Sequence, residues 1–373
     1  MTTAETVGIV AEFNPFHSGH EYIVEKADAA VIVSVMSGNF TQRGEPASAD
    51  KWSRAETAVK NGVNVVVELP TVYACNSAEF FAKGAVDVLE GFGCIDTLFF
   101  GSESGDTGKL VKIAGCLAEY EEEINVAANE SLRRGVSYPK ARESFLEAHL
   151  EPGELDILRE PNNILALEYI KCLRNIRPAT VIRRGDSYHE TGSMHRSRLR
   201  KENAAFFDNM DRNYFKMAAA EIFRMRECDL EKISAADRGL VNKLKKEIRF
   251  AKNTEQLIDA MKSKAYTRTR ISRLLTHILL GITGDDVRAA KSYIRILAID
   301  RTGAAFLKKV KKIGCNTVPI ITNINRELDE YPEISATIKK DILASDIYNL
   351  ITENNLYGCS DYIKKPFVKG MNL

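Results

Sequence analysis

The sequence predicts an α/β fold, with a parallel sheet near the N-terminus, a helical domain after it and a small α/β segment at the C-terminus. Short β-branched runs alternate with helix-like stretches over the first two hundred residues. The next stretch has helical apolar spacing and no clear strand, and strand-like runs return near residue 293. We therefore expect three parts, at residues 1–195, 196–288 and 289–373.

The N-terminal part contains five runs that are typical of buried strands, with a helix at Gly19–Ala30 following the first run. The predicted strands are Val7–Phe13, Ala30–Met36, Asn64–Leu69, Leu98–Phe100 and Ala179–Ile182. Helices between such runs imply parallel pairing with crossover connections. Ligands of parallel sheets bind at the carboxyl ends of the strands. We therefore expect the loops after Phe13, Met36, Phe100 and Ile182 to converge on one site.

The middle part reads as helical, since Leu240, Leu244 and Ile248 recur at helical spacing and Gly and Pro are rare. The C-terminal part has strand-like runs at Tyr293–Ile299 and Val318–Ile321 among helices. The sequence shows no internal repeat and no low-complexity linker.

Charge is unevenly distributed, although 52 basic and 51 acidic residues leave a net charge of only +1. Between Arg196 and Arg273 there are 20 Lys or Arg against 11 Asp or Glu. A basic middle on an otherwise acidic chain suits a polyanion such as nucleic acid, although basic helices also occur without one.

Composition excludes several classes of protein. No apolar run is long enough to span a membrane, and the N-terminus lacks the pattern of a secretory signal. The seven cysteines are scattered without a CxxC pair, so a zinc site or a disulfide framework is not expected. Reduced thiols in a cytoplasm are the better interpretation. We expect no metal site, no membrane contact and no obligate protein partner.

The strongest chemical signal is Asn14–His20, which follows the first strand and opens a helix. His17 and His20 are three residues apart and can share one face of the helix start. The free N–H groups of that helix end attract phosphate, and Gly19 lets a ligand approach the backbone. Two imidazoles can donate hydrogen bonds to a phosphoryl group as negative charge develops on it. The alternatives are histidines that only cap the helix or bind a metal. The arrangement favours nucleotidyl transfer.

The segment His17–His20 resembles the HxGH signature of the nucleotidyltransferase superfamily that includes class I aminoacyl-tRNA synthetases. Longer strings resemble one family within it, the bacterial tRNA(Met) cytidine acetate ligases. These strings are VGIVAEFNPFHSGH (7–20), MSGNFTQRGEPASADKW (36–52), VELP (67–70), SAEFFAKGA (77–85), GSE (101–103), PNNIL (161–165), YTRTRISRLLTHILLGI (266–282) and, more weakly, YIRIL (293–297).

The resemblance implies a Rossmann-like nucleotidyltransferase domain and a two-step reaction. Acetate attacks the α-phosphate of ATP, which is expected to arrive as its magnesium complex, and gives acetyl-adenylate and pyrophosphate. The N4 amine of the wobble cytidine of elongator tRNA(Met) then takes the acetyl group, which gives N4-acetylcytidine and AMP.

The resemblance also implies an ATP site, with His17 and His20 as the catalytic residues. The residues implied at that site are Val7, Gly8, Ile9, Val10, Ala11, Glu12, Phe13, Asn14, Pro15, Phe16, His17, Ser18, Gly19, His20, Gly101, Asn162 and Arg183. One Asn of the pair Asn162–Asn163 is expected to be the N-cap of the following helix, while Asn162 is favoured for the ligand. Arg183 is favoured over Arg184 as the phosphate partner.

Two further segments are candidate parts of the active site. Ser193–Arg200 lies where the superfamily has a second phosphate loop, and Ser197 and Arg200 match that loop in kind, whereas His195 and Arg196 depart from it. The loop from Met36 to Lys51 should overhang the cleft and help to enclose acetate or orient the cytosine, the alternative being a purely structural loop.

Basic residues of the helical part are candidates for contact with tRNA. Arginines, hydroxyls and one aromatic ring alternate from Tyr266 to Arg273, which suits phosphate contact and base stacking. The candidates are Lys243, Lys246, Tyr266, Arg268, Arg270 and Arg273. An ordinary solvated helix surface is the alternative for each of them.

Two other functions remain open from the residues. One is a small-molecule adenylyltransferase, or a ligase that acetylates a protein-bound thiol, but neither needs a basic helical domain. The other is a non-catalytic RNA-binding protein, which the intact His17, Gly19 and His20 argue against.

Overall fold

The computed structural model describes residues 5–133, 138–183, 191–263 and 266–370. Over these ranges the strands form one sheet, and the five strands predicted near the N-terminus are all present. The strands are β1 Thr6–Ala11, β2 Val31–Ser37, β3 Val65–Leu69, β4 Thr97–Ser102, β5 Arg177–Ile182, β6 Ile294–Ile299, β7 Ile320–Ile321 and β8 Phe367–Val368.

The sheet has the strand order β5-β4-β1-β2-β3-β6-β7, with β8 also paired to β6. The first five strands in this order are parallel, as predicted. The order reverses direction around β1, since β2 lies on one side of it and β4 on the other. Such a switch point opens a crevice at the carboxyl ends of the strands.

Helices cover both faces of the sheet and build the middle of the chain. The helices are α1 Ser18–Ala27, α2 Lys51–Lys60, α3 Thr71–Ala74, α4 Ala78–Glu90, α5 Thr107–Glu119, α6 Glu121–Arg133, α7 Tyr138–Leu146, α8 Pro152–Leu155, α9 Pro161–Cys172, α10 Thr191–Glu202, α11 Ala204–Arg224, α12 Glu227–Leu230, α13 Arg238–Glu247, α14 Thr254–Met261, α15 Arg268–Leu280, α16 Gly284–Ala289, α17 Arg301–Ile313, α18 Ile324–Glu330 and α19 Ser335–Ile351. Short 3-10 turns lie at Asp156–Arg159 and Pro332–Ile334.

Alternating side chains of the central strands build a core on each face of the sheet. On one face, Val7, Ile9 and Ile32 pack with α1 and α2. On the other face, Val33 and Val35 belong to a larger core that includes α4, α5 and α9 and continues into the helical region. The sheet is therefore the middle of three layers, and the helical region shares its larger core.

Helix α15 is the central helix of the middle region. All of its residues from Leu274 to Leu280 are buried, and it contacts α11, α14 and α19. The predicted helical part is confirmed, but the predicted boundary between residues 195 and 196 falls inside α10. No helix in the described ranges is long and apolar enough to cross a membrane.

The C-terminal strands join the N-terminal sheet, which the sequence did not indicate. Strand β6 pairs antiparallel with β3, and β7 and β8 pair with β6. The expected α/β segment at 289–373 is present, and its strands continue the N-terminal sheet. Apolar runs alone cannot distinguish a new sheet from an added edge, because the pairing is set by distant residues.

A cluster of four buried charges holds the C-terminal segment against the sheet. We call Lys51, Glu68, Arg295 and Asp361 the buried charge cluster; each is at most 3% exposed. Lys51 Nζ lies 2.8 Å from both Glu68 Oε1 and Asp361 Oδ2. Arg295 Nη1 lies 2.8 Å from Glu68 Oε2 and 3.0 Å from Asp361 Oδ2. Two cations thus face two carboxylates where α2, β3, β6 and the C-terminal segment meet.

Candidate active site

A cavity of about 330 Å³ lies at the carboxyl ends of the central strands. Its walls come from the loop after β1, the loop after β2, the end of β4 and the end of β5, as the predicted convergence requires. Residues lining it from these loops include Phe13, Asn14, Gln42, Gly101 and Arg183. Helices α1, α4 and α9 close its sides with apolar residues. Its volume is in the range of small-ligand pockets.

The two histidines of the first loop both line the cavity and are held by the start of α1. His17 is the N-cap: its Nδ1 accepts the Gly19 N–H at 3.1 Å, and His20 Nδ1 accepts the His17 N–H at 3.3 Å. A nitrogen that accepts a backbone N–H carries no proton, so each neutral ring has its proton on Nε2. The rings stack with centroids 3.8 Å apart. Both side chains thus present an Nε2–H donor.

Burial determines the charge of His20. It lowers the pKa of His20 well below 6.5, and the neighbouring His17 and Arg183 side chains lower it further. His20 is therefore a neutral imidazole at physiological pH. Phe13 packs edge-on against it at 5.0 Å between ring centroids. The backbone of Phe13 is left-handed, with φ 45°, which is uncommon for a bulky residue and places its ring beneath the histidine.

Gly19 is required by the histidine rather than by a ligand alone. A Cβ at this position would lie 2.9 Å from His17 Cε1 and 3.0 Å from His17 Nδ1. Any larger residue would displace the ring that caps α1. The sequence argument, which assigned the space to a ligand, missed this contact.

A reciprocal set of hydrogen bonds holds α9 against the loop after β4. The Glu103 carboxylate accepts the backbone N–H groups of Asn162 at 3.3 Å and Asn163 at 2.8 Å. Asn163 Oδ1 accepts the N–H groups of Glu103 and Ser104 in return, at 3.0 and 3.1 Å. Glu103 also accepts from Asn162 Nδ2. Sequence reasoning missed Glu103; an acidic residue just after a strand was the available signal.

The predicted asparagine N-cap of α9 is wrong. The N-cap is Glu160, with Pro161 at the first helical position. Proline favours that position because its missing N–H costs nothing there. Asn162 nevertheless lines the cavity, and its Oδ1 accepts from Arg183 Nη1 at 3.2 Å. Asn163 is buried with its side chain on the backbone. Arg184 lies outside the described residues.

Most of the predicted ATP segment reaches the cavity, but part of it does not. Ile9 to Asn14, His17 and His20 line it. Val7 is a core residue, and a Cβ on Gly8 would lie 2.8 Å from a Leu89 methyl, so both belong to packing of the sheet. Pro15 and Phe16 lie in the loop before α1 and Ser18 and Gly19 in its first turn, and none of the four lines the cavity. A Cβ on Gly101 would lie 3.0 Å from Arg183 Cγ.

The loop between β2 and α2 overhangs the cavity through Gln42 and Arg43. Buried Arg54 fixes the start of this loop, since its guanidinium donates to the carbonyls of Glu12, Ser37 and Gly38. Burial lowers the pKa of Arg54, while nearby acidic groups oppose that change.

Helix α15 holds the tip of the same loop. Ser272 Oγ and Thr276 Oγ1 donate to the Gly44 carbonyl at 2.7 and 3.0 Å. Gly44 has φ +76°, and a Cβ there would lie 2.3 Å from Arg273 N, so only glycine fits. Arg273 Nη1 donates to the Gln42 carbonyl at 3.4 Å. The helical region therefore contacts the loop that lines the cavity.

Neither Ser197 nor Arg200, the two residues that match a second phosphate loop, is among the described residues that line the cavity. Residues 193–200 lie within α10 instead of forming a turn before a helix. Ser197 is exposed, and Arg200 is paired with Asp211 at 3.4 Å and lies 5.5 Å from the Phe207 ring centroid. The side chains of His195 and Arg196 lie outside the described residues.

The candidate tRNA residues fall into two groups. Most are bound to neighbouring protein groups: Arg268 to Glu255, Arg270 and Tyr266 to Asp237, and Lys243 to the Met261 carbonyl. Lys246 is exposed on α13, whereas Arg273 faces the active-site loop and its pKa is lowered by burial. Thr267 caps α15 directly before Arg268.

The described residues contain no group of three or more His, Cys, Asp or Glu side chains that could hold a metal ion. Within these ranges the chain offers no cage for magnesium.

Comparison with known proteins agrees with this geometry. A family model described as HIGH Nucleotidyl Transferase matches residues 4–202 and 192–360. A parallel sheet with an HxGH loop at its switch point defines a nucleotidyltransferase of this class.

Two curated relatives and two crystal structures identify the family. The tRNA(Met) cytidine acetate ligase of Thermoanaerobacter sp. (strain X514) is 33% identical, covering 97% of this chain and 99% of its own. That of Caldanaerobacter subterraneus subsp. tengcongensis is 35% identical, covering 98% and 100%. The Thermotoga maritima TmcAL structures, apo form I and the form bound with alpha-thio ATP, superpose with TM-scores of 0.88 and 0.87 at 28% identity, over 98% of this chain and 99% of theirs. The chain belongs to the tRNA(Met) cytidine acetate ligase family of ATP-dependent ligases.

Proposed function

We propose that the protein joins acetate to the wobble cytidine of elongator tRNA(Met) in the cytoplasm, at the expense of ATP. Acetate attacks the α-phosphate of ATP, which gives acetyl-adenylate and releases pyrophosphate. The cytidine N4 amine then takes the acetyl group and releases AMP. The observation that carries this proposal is the stacked pair of imidazoles at the start of α1, in the cavity at the switch point of the sheet.

The histidines supply the electrostatic part of the first step. Their Nε2–H groups donate to phosphate oxygens, where negative charge accumulates as the acetate oxygen bonds to phosphorus and pyrophosphate leaves. The N-terminus of α1 adds a partial positive charge that attracts phosphate. A neutral His20 is suited to this role, because it donates a hydrogen bond without gaining or losing a proton.

The far wall of the cavity holds the nucleotide. Asn162 and Arg183 hydrogen-bond to each other there, and Arg183 lies next to Gly101. The guanidinium of Arg183 neutralises phosphate charge, and the missing side chain of Gly101 leaves room for the nucleotide. A magnesium ion carried by ATP would neutralise part of the phosphate charge at this wall.

The helical region meets the tRNA. Its excess of positive charge attracts the phosphate backbone of the tRNA, and this attraction does not require precisely positioned side chains. Lys246 is exposed and has no ion-pair partner among the residues that the structure describes. Tyr266, Arg268 and Arg270 lie together at the start of α15. We propose that these groups exchange their protein partners for RNA phosphates and that Gln42 and Arg43 enclose acetate or the cytosine.

Exchange of pyrophosphate into ATP tests the first step. The wild-type protein should catalyse exchange that depends on acetate. The exchange rate of His20→Ala should be about 10²–10³-fold lower, because one hydrogen-bond donor to the developing negative charge is removed. His149→Ala is the matched control, because His149 is exposed and stacks on Tyr120 and Phe145 instead of lining the cavity. The control should keep wild-type exchange.

The outcomes separate the candidate functions. Exchange without any need for acetate would indicate another adenylyl acceptor. Absence of exchange, both alone and with elongator tRNA(Met) present, would refute the ligase proposal. Transfer of labelled acetate to tRNA(Met), but not to a transcript with uridine at the wobble position, tests the second step.

A further inference from the structure

Among the described residues that line the cavity, Glu12 is the only carboxylate. It follows β1 directly and is only partly buried. Its Oε1 accepts the Gln42 N–H at 2.7 Å and the Ser37 hydroxyl at 3.3 Å. Its second oxygen, Oε2, accepts no hydrogen bond from any residue that the structure describes, and the carboxylate forms no ion pair within those ranges.

This arrangement is costly for a site that only binds ATP. An ionised carboxylate repels phosphate, and a partly buried charge without an ion pair has lost some of its hydration. Buried Arg54 lies close enough to attract the Glu12 carboxylate, but its guanidinium hydrogen-bonds to the backbone carbonyl of Glu12 and leaves both carboxylate oxygens to other donors. One oxygen is anchored and the other is left for a ligand, which indicates that the site binds a donor there.

The second step of the proposed reaction supplies such a donor. The N4 amine of cytosine offers only N–H groups at its edge, and carboxylates are the side chains that accept them. The amine is a weak nucleophile because its lone pair is delocalised into the ring. Removing a proton while the new bond forms therefore assists attack.

The other titratable groups of the cavity are poor acceptors for this proton. Both histidines use Nδ1 to accept backbone N–H groups, and their Nε2 atoms carry protons in the neutral rings. Arg43 and Arg183 carry only donors, and Tyr169 is a phenol. By elimination among the lining residues, the acceptor is Glu12.

We propose that Glu12 binds the N4 amine of the acceptor cytidine and takes its proton during acetyl transfer. This inference rests on the proposed function. The N4 lone pair forms a bond to the acetyl carbonyl carbon of acetyl-adenylate. The carbon–oxygen bond to the phosphate breaks, and its electron pair leaves with AMP. One N4 proton passes to Glu12 Oε2 and then to water.

The anchor on Oε1 makes a matched pair of variants possible. Glu12→Gln keeps an oxygen that can accept from Gln42 and Ser37, but it removes the charge and cannot take a proton. Glu12→Ala removes the anchor as well. Glu25→Gln, on the exposed side of α1, is the control for a charge change near the site.

The two half-reactions are measured separately. Acetate-dependent exchange of pyrophosphate into ATP reports the first. For the second, enzyme is preloaded with labelled acetate, ATP and pyrophosphatase, then mixed with elongator tRNA(Met) in a single turnover. We expect Glu12→Gln to exchange within about threefold of wild type and to transfer acetyl about 10²–10⁴-fold more slowly, as for a lost general base. Glu25→Gln should match wild type in both.

Each other result overturns the inference in its own way. Loss of exchange in Glu12→Gln would place Glu12 in the ATP step, for example on a magnesium ion. Wild-type transfer by Glu12→Gln, with a defect only in Glu12→Ala, would reduce its role to holding the Gln42 loop. If wild-type enzyme itself showed no acetate-dependent exchange, with or without tRNA, the proposed function would fall, and the inference with it.

Discussion

Asp361 lies in the buried charge cluster, and replacing it with asparagine tests how the C-terminal segment is held. The substitution Asp361→Asn keeps the shape but leaves two cations, Lys51 and Arg295, facing the single carboxylate of Glu68. Burial by itself would raise the pKa of the Asp361 carboxyl, but Arg295 and Lys51 lower it to about 2. The carboxylate is therefore charged throughout the physiological range, and the variant removes a real charge.

The size of the effect follows from the geometry. Removing one partner of a buried ion pair costs about 3–5 kcal/mol of unfolding free energy, because an uncompensated charge stays out of water. Here Asp361 Oδ2 lies 2.8 Å from Lys51 Nζ and accepts from Ser345 Oγ at 2.8 Å. The unfolding entropy of about 2.1 cal/mol/K per residue amounts to about 0.8 kcal/mol/K for 373 residues that unfold together. We therefore expect Tm to fall by about 4–6 °C.

Thermal unfolding followed by circular dichroism gives the measurement. The control is Asp285→Asn, which breaks an exposed pair with Arg288 and should change Tm by less than about 1 °C. Because the pKa of Asp361 is below its unfolded value of about 3.9, its stabilisation is complete above that pH and is lost as pH falls toward 2. The difference between wild type and variant should therefore be constant from pH 5 to 8.

A compensating change makes the charge argument refutable. Adding Lys51→Met to Asp361→Asn leaves one cation and one carboxylate, so the double variant should recover part of the lost Tm. A Tm loss of Asp361→Asn no larger than the control's would refute the reasoning. If the Tm loss of the double variant equalled or exceeded the summed losses of Asp361→Asn and Lys51→Met measured separately, packing rather than charge balance would hold this site.

Two further predictions concern the cavity. Gly101→Ala should raise the KM for ATP about tenfold with little change in Tm, because the new methyl contacts Arg183. The control is Gly115→Ala, whose added carbon has no atom within 4 Å. It should leave the KM for ATP unchanged. Thr276→Val should cost about 1–3 kcal/mol of unfolding free energy, because buried Thr276 donates to the Gly44 carbonyl and hydrogen-bonds to Tyr214. It should also raise the KM for ATP, since the loop that lines the cavity loses one of its attachments to α15. Unchanged exchange kinetics would contradict this connection between α15 and the cavity.

Local signals predicted the sheet and the position of the cavity. The β-branched runs beginning at Val7, Val31 and Val65 are buried parallel strands, because their composition leaves few other places for them. The rule that ligands bind at the carboxyl ends of parallel strands then located the cavity beside His17 and His20. These inferences needed only short-range patterns and one general property of parallel sheets.

Features that depend on distant residues were beyond the sequence. Glu103 accepts backbone N–H groups of a helix about 60 residues away, and Lys51 pairs with a carboxylate 310 residues away. Nothing near either residue in the chain indicates its partner. The N-cap of α9 is a different case, because Pro161 already indicated that the helix begins one residue before the asparagines.

The loop from Gly38 to Asp50 connects these observations. Its two ends are fixed by buried cations, with Arg54 donating to the carbonyls of Ser37 and Gly38 and Lys51 bound to Glu68 and Asp361. Its tip is fixed by the hydroxyls of α15 on the Gly44 carbonyl. Gln42, which lies between these attachments, gives its N–H to Glu12. Because both ends of the loop are fixed, a shift of α15 would move Gly44 and, with it, Gln42. The hydrogen bond from Gln42 to Glu12 Oε1 would then change in length or direction.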